Sequence, residues 1–125
     1  MTKSLRSDVL NFVKRKYKIS GDSPWAKYPN YVVLRHNDNR KWFGLIVNVA
    51  RNRLGMGGDE IVDILNVKID SVVFGGFINQ AGIMPAYHMS KAAWATILLD
   101  GTVPMQDIEF LLNVSFELTK NKRGK

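Results

Sequence analysis

The apolar positions of this chain follow a helical period at both ends and a strand period between them. Near the start, Leu5, Val9, Phe12, Val13 and Tyr17 fall on one helical face, and Thr2 or Ser4 is placed to cap it. The stretch KISGDSPWAKYPNY breaks that period with Gly21, Pro24 and Pro29. Tyr31–His36 then reads as a first strand and Lys41–Ala50 as a second. The turn between them, Asn37-Asp38-Asn39-Arg40, uses residues that tolerate left-handed backbone. In the second strand Phe43, Leu45, Val47 and Val49 alternate on one face; Trp42, Gly44, Ile46 and Asn48 take the other. The Gly-rich connection RNRLGMGGD leads to a third strand, Glu60–Lys68, completing a meander over residues 31–68.

The second half is less regular. Asp70–Gln80 fits a helix poorly, because Gly75-Gly76 lies inside it, although a capping Asp70 allows one turn or two. Ile83–Met84 is a strand fragment, and Trp94–Leu99 is a full strand ended by Asp100-Gly101. Thr102 as cap and Pro104 in the first turn open the last helix. Ile108, Leu111, Leu112 and Ser115 form its inward stripe, widened by Phe110, Val114 and Leu118. Helices at both ends around a strand meander predict an α+β layer fold.

Composition narrows the classes. With 125 residues, 46% hydrophobic and 10% aromatic, the chain suits one domain with its own core. There is no Cys, which excludes disulfides, Cys-ligated zinc, iron–sulfur clusters and a thiol nucleophile. No apolar run approaches the roughly 18 residues of a membrane span, and MTKSLRSDVLNFVKRKYK lacks a signal-peptide core. The expectation is a soluble, cytoplasmic monomer with no membrane, metal or cofactor attachment.

The net charge is +7, unevenly spread. Residues 1–18 and 27–53 are basic, as is the terminal KNKRGK; between 54 and 119 Lys68 and Lys91 are the only basic residues. Such a balance fits either a polyanionic partner such as nucleic acid or a plain solvated surface.

Known catalytic patterns are missing. RLGMGGDE (Arg53–Glu60) lacks phosphate-loop spacing and ends in acids, so it reads as a hairpin connection. His36 and His88 are far apart with no ligand-spaced partner, which argues against a metal site. No nucleophile elbow is present, and no enzyme activity is expected. Trp25, Trp42 and Trp94 do have cations beside them, namely Lys27, Lys41 and Lys91. Basic residues interleaved with aromatics suit phosphate contact and stacking; for any single Trp, core packing with Lys at the water boundary is the plainer reading, while Lys41-Trp42 with Arg35 and Arg40 fits a basic hairpin tip.

Three segments are familiar: SPWAKYPNYVVLRHNDNRKWFGLI, GIMPAYHMSKAAWATILLDGTVP and FLLNVSFEL. They resemble the MmcQ/YjbR-like family of small bacterial proteins over roughly residues 5–119. Pro85–Pro104 is the most specific part, with His, Lys and Trp ahead of an apolar strand, Asp-Gly and a helix. The resemblance implies one domain over 1–119 with a CyaY/frataxin-like sandwich fold; the basic residues of 120–125 lie outside it and read as a flexible tail. In that sandwich a curved antiparallel sheet carries the N- and C-terminal helices on one face. It also implies a DNA-binding protein with a double-wing arrangement. Frataxin-like iron binding uses an acidic ridge on the first helix; here that helix carries Arg6, Lys14, Arg15 and Lys16 against Asp8, which disfavours iron.

Two functions follow as expectations. One is a non-enzymatic DNA-binding module, with phosphates held by Arg35, Arg40, Lys41, Arg51 and Arg53 and a second contact from Lys91 and Trp94. The other is a small-ligand or protein-interaction domain. Its site would be Trp42, Tyr87, His88, Lys91 and Trp94 on a sheet face left open by the helices.

Overall fold

The computed structural model describes residues 4–77, 79–91 and 93–120. Its elements are α1 (Arg6–Tyr17), β1 (Val32–Arg35), β2 (Trp42–Ala50), a 3₁₀ turn (Arg51–Leu54), β3 (Ile61–Lys68), α2 (Ser71–Phe77), β4 (Ile83–Pro85), β5 (Trp94–Leu98) and α3 (Met105–Thr119). The strands form one open antiparallel sheet in the order β1-β2-β3-β5-β4. The α+β architecture and the meander are as the periodicity predicts.

Both terminal helices lie on one face. Val9, Phe12 and Val13 of α1 and Ile108, Leu111 and Leu112 of α3 pack on Leu34, Phe43, Ile46, Leu65, Val67 and Ile97 of the sheet. The two helices also meet directly: the Tyr17 and Phe116 rings stack at 3.9 Å, and the Tyr17 hydroxyl donates to Asn113 Oδ1 at 2.8 Å. Burial, with Glu117 nearby, pushes the Tyr17 phenol up to about 12. α1 begins where the Ser4 hydroxyl accepts the Arg6 N–H at 3.0 Å. Arg6 also reaches Asp63 of β3 at 2.9 Å, which pins the helix start to the sheet.

The strict alternation expected in β2 does not hold. Leu34 pairs with Gly44 and Arg35 with Trp42, so Phe43 is an extra residue with no partner in β1. This bulge turns Phe43 onto the helix face together with Ile46, while Trp42, Leu45, Val47 and Val49 take the opposite face. Ser115 of α3 completes the bulge. Its hydroxyl donates to the Phe43 carbonyl at 2.6 Å and accepts the Lys68 N–H at 2.8 Å. Gly44 leaves room there for Leu34, whose Cδ1 a Cβ at this position would meet at 2.8 Å and push aside.

Two end signals also differ. Pro104, not Thr102, caps α3; Thr102 instead bonds Asp100 through its N–H and hydroxyl at 3.0 and 2.6 Å. Phe110 points away from the inward stripe and is 51% exposed, because it lies on the outer side of α3 near Phe77. Asp70 does cap α2, accepting the Val73 N–H at 2.8 Å. The tail expected over 120–125 falls outside the described residues apart from Lys120, which pairs with Glu117.

Candidate functional site

The second sheet face is not open. Val33, Leu45, Val47, Val49, Val62, Ile64 and Leu98 are all buried there beneath irregular segments. Trp25 and Tyr31 come from the loop before β1, Leu54 and Met56 from the loop after β2, and Met84, Tyr87 and Met89 from the segment around β4. These aliphatic side chains together present too much apolar surface to stay bare, so the loops fold over them. Trp25 meets Trp42 and Tyr31 edge-to-face at 5.9 and 6.2 Å, and Tyr28 stacks on Tyr31 at 4.9 Å.

The segment Pro85–Trp94 is held on this face by buried polar groups. The Tyr87 N–H donates to Thr96 Oγ1 at 2.8 Å, and its carbonyl accepts from Asn66 Nδ2 at 3.0 Å. Asn66 and Thr96 are themselves buried and bonded to each other. Lys91 closes the segment, donating from Nζ to the Ala86 carbonyl at 2.9 Å. His88 sits at the outer end with φ of +62°, exposed, its ring 4.0 Å from the Tyr87 ring.

The His88, Lys91 and Trp94 group is therefore not one cluster. Lys91 staples a loop, His88 leans on Tyr87, and Trp94 opens β5 opposite Lys68. Trp42 packs edge-to-face on Trp25.

The expected basic wing also divides. Arg35 pairs with Asp22, and Arg51 reaches Asp100 at 3.5 Å. Both guanidiniums are thus occupied by acids distant in sequence. Arg40 lies at the hairpin tip with φ of +65°, exposed. Lys41 pairs through the backbone with His36, on the helix side of the sheet. Arg51 and Arg53 lie past the far end of β2, whose nine residues span about 26 Å, while Lys41 precedes its start. Residues 35–53 do not make one patch.

Arg53 and Lys91 meet instead. Both line a groove of about 250 Å³ whose other walls are Leu54, Met84, Pro85 and Tyr87. Neither forms an ion pair among the described residues. Tyr87 and Arg53 also border a second concavity of about 360 Å³ with Tyr31 and Val49. No acid lines either one. The first arrangement is half legible in the sequence, which puts Arg53 with Lys91 in the DNA contact set and Tyr87 with Lys91 in the ligand set but does not bring all three together. Asn66 and Thr96 were missed, although a polar residue inside an apolar strand is the signal for a buried hydrogen-bonded pair.

His36, Asp63 and Asp100 serve the fold. His36 is buried against Phe43 and Phe116 and bonded to Thr119 Oγ1 at 2.8 Å. Burial holds its imidazole below the ordinary range, against opposing pulls from Asp38, the Phe116 carbonyl and Glu117. Burial raises the Asp63 and Asp100 carboxyls, but the bonds from Arg6 and Ser4, and from Thr102 and Arg51, outweigh it and leave both below the usual carboxylate range. No group of three or more His, Cys, Asp or Glu among the described residues is arranged to hold a metal ion. No helix among them is long and apolar enough to cross a membrane.

No protein-family model matches the chain. The Bacillus subtilis protein described as "Uncharacterized protein YyaQ" is 46% identical over 115 residues, which cover 92% of this chain and 98% of that one. Escherichia coli YjbR, also described as uncharacterized, is 33% identical over 42 residues, 34% of this chain and 36% of its own. A Pseudomonas syringae protein of known crystal structure superposes with a TM-score of 0.88 at 37% identity, covering 92% of this chain and 98% of that one. A Deinococcus radiodurans structure described as a DUF419 domain shares the fold, with a TM-score of 0.66 at 20% identity over 98% of this chain and 83% of that one. With near-complete coverage at that identity, this chain belongs to the same family as YyaQ of Bacillus subtilis.

Proposed function

We propose that this chain is a non-enzymatic DNA-binding module of the MmcQ/YjbR-like kind. Its phosphate contacts are Arg53 and Lys91, with Arg40 and Lys41 at the β1–β2 hairpin tip as a separate contact. One observation supports this most: Arg53 and Lys91, from different elements, converge on an acid-free groove beside Tyr87. Unpaired cations around a concave, partly aromatic surface attract a polyanion and release its counterions on binding. Arg35 and Arg51 leave the contact set, since each already faces an acid. The double wing becomes a hairpin tip and a groove.

The second reading, a small-ligand or protein-interaction site around His88, Lys91 and Trp94, has less support. The groove is smaller than the roughly 300–1,000 Å³ of ligand pockets, and the three side chains serve different ends.

Fluorescence anisotropy with labelled DNA, single strand and duplex in parallel, tests the proposal across a salt series. Affinity is expected to fall steeply with salt, with a slope of about 0.9 per phosphate contact on duplex. Arg53→Ala with Lys91→Ala is expected to weaken binding and flatten that slope by nearly two contacts. Absence of binding to either form at low salt would sink the proposal and turn attention to the ligand reading.

A further inference from the structure

We infer that the DNA taken by this surface is single-stranded, with an unpaired base lying against Tyr87. The inference rests on the DNA reading above and names its substrate.

The argument starts from what lies beneath the cations. Arg53 and Lys91 do not project from a convex polar ridge. They border a groove lined also by Leu54, Met84, Pro85 and Tyr87. Across the Arg53–Tyr87 pair the surface dips again, toward Tyr31 and Val49. The result is two adjoining depressions, the first mostly apolar and the second of mixed lining with Asn48, that share Tyr87 and Arg53.

A duplex cannot use such a lining. It presents phosphates and sugar edges outward and keeps its base faces stacked inside. Its backbone could reach Arg53 and Lys91, yet the apolar part of the groove would stay unfilled. A single strand brings both parts, phosphates for the two cations and free π-faces for the ring. Acid-free lining supplies the charge complementarity.

Tyr87 is also prepared for stacking. Its backbone is fixed on both sides by buried Thr96 and Asn66. Little conformational freedom remains to be lost when a base arrives. His88, held at positive φ, sets its ring 4.0 Å from that of Tyr87 and tilted 53° to it, which braces the tyrosine from the outer side. Left-handed backbone at a non-glycine residue is a strained choice that the surrounding loop enforces.

The test is anisotropy at low salt with a labelled deoxy-oligonucleotide and with the duplex of the same sequence. The strand is expected to bind more tightly than its duplex. Tyr87→Leu retains apolar cover over the sheet and removes the ring. It is expected to weaken strand binding about 5- to 150-fold, the range for one lost base–aromatic stack, while duplex binding changes little. Tyr87→Phe is expected to bind the strand like the parent, and thermal melts of both variants report whether they stay folded. If duplex binds as tightly as strand, or Tyr87→Leu binds strand like the parent, the inference falls and the DNA reading stands. Polyglutamate displacing the strand as well as unlabelled strand does would also overturn it, because charge alone would then suffice. If neither DNA form binds, both readings fall together.

Discussion

The two faces of the sheet bury similar side chains in different ways. On one, two regular helices lay complementary apolar stripes over Leu34, Phe43, Ile46 and Ile97. On the other, three irregular segments contribute Trp25, Tyr31, Leu54, Met84 and Tyr87 over Leu45, Val47 and Val49. Helical backbone satisfies its own hydrogen bonds, so that cover needs little help beyond packing. Loop backbone does not, so the second cover depends on specific polar anchors such as Asn66 and Thr96. The helix face is thus built for stability. The loop face has half-exposed rings and unpaired cations, and that is where a binding groove can form.

The largest test of this contrast is one substitution made on both faces. Leu112→Ala on the helix face is expected to cost about 4–5 kcal/mol, and Leu45→Ala under the loops about 2–3, because loops can collapse into the space. Chemical denaturation measures both; equal costs would break the contrast. Next is Ser115→Ala, which orphans the Phe43 carbonyl and the Lys68 N–H at the bulge. A loss of about 2–3 kcal/mol is expected, and a thermal melt close to the parent's would mean the bulge does not need its plug.

On the loop face, Thr96→Val removes the acceptor of the Tyr87 N–H while keeping the side-chain volume. The expected loss is about 1–2 kcal/mol. Amide exchange should accelerate at Tyr87 more than at Val13 or Leu112; uniform acceleration would show that the anchor acts on the whole domain. The smallest effect concerns pH. His36 is buried and its proton affinity is lowered, so the unfolded chain binds that proton more readily than the folded one. Stability is therefore complete above the ordinary imidazole value near 6.5 and declines as pH falls below it. A second decline follows in the carboxylate range, where Asp63 and Asp100 lose the charge that Arg6 and Arg51 favour. His36→Gln is expected to remove the first decline and leave the second; denaturation midpoints from pH 8 to pH 3 would reveal it.

Much of the helix face could be read in advance. Val9, Phe12 and Val13, and Ile108, Leu111 and Leu112, repeat at helical spacing and are buried as that spacing requires. The strand meander was legible for the same reason. The candidate site was legible only as a list of residues. Arg35 and Arg51 look like free cations until Asp22 and Asp100 are brought to them from 13 and 49 positions away. Trp94 and His88 look like neighbours until β5 carries one into the sheet and a left-handed residue turns the other outward.

The sequence by itself determined the element order, the strand count and the inward faces of both terminal helices. Those follow from local periodicity and from the removal of apolar surface from water, which each segment specifies within a few residues. The tertiary structure alone decided three things: the bulge at Phe43, the folding of loops over the second face, and the meeting of Arg53, Tyr87 and Lys91. Each depends on which distant segment supplies a hydrogen bond or a covering ring. The bulge needs Ser115 to donate to its carbonyl, and the groove needs the turn after β2 to meet the segment that follows β4. Neither condition is written in any single stretch of chain.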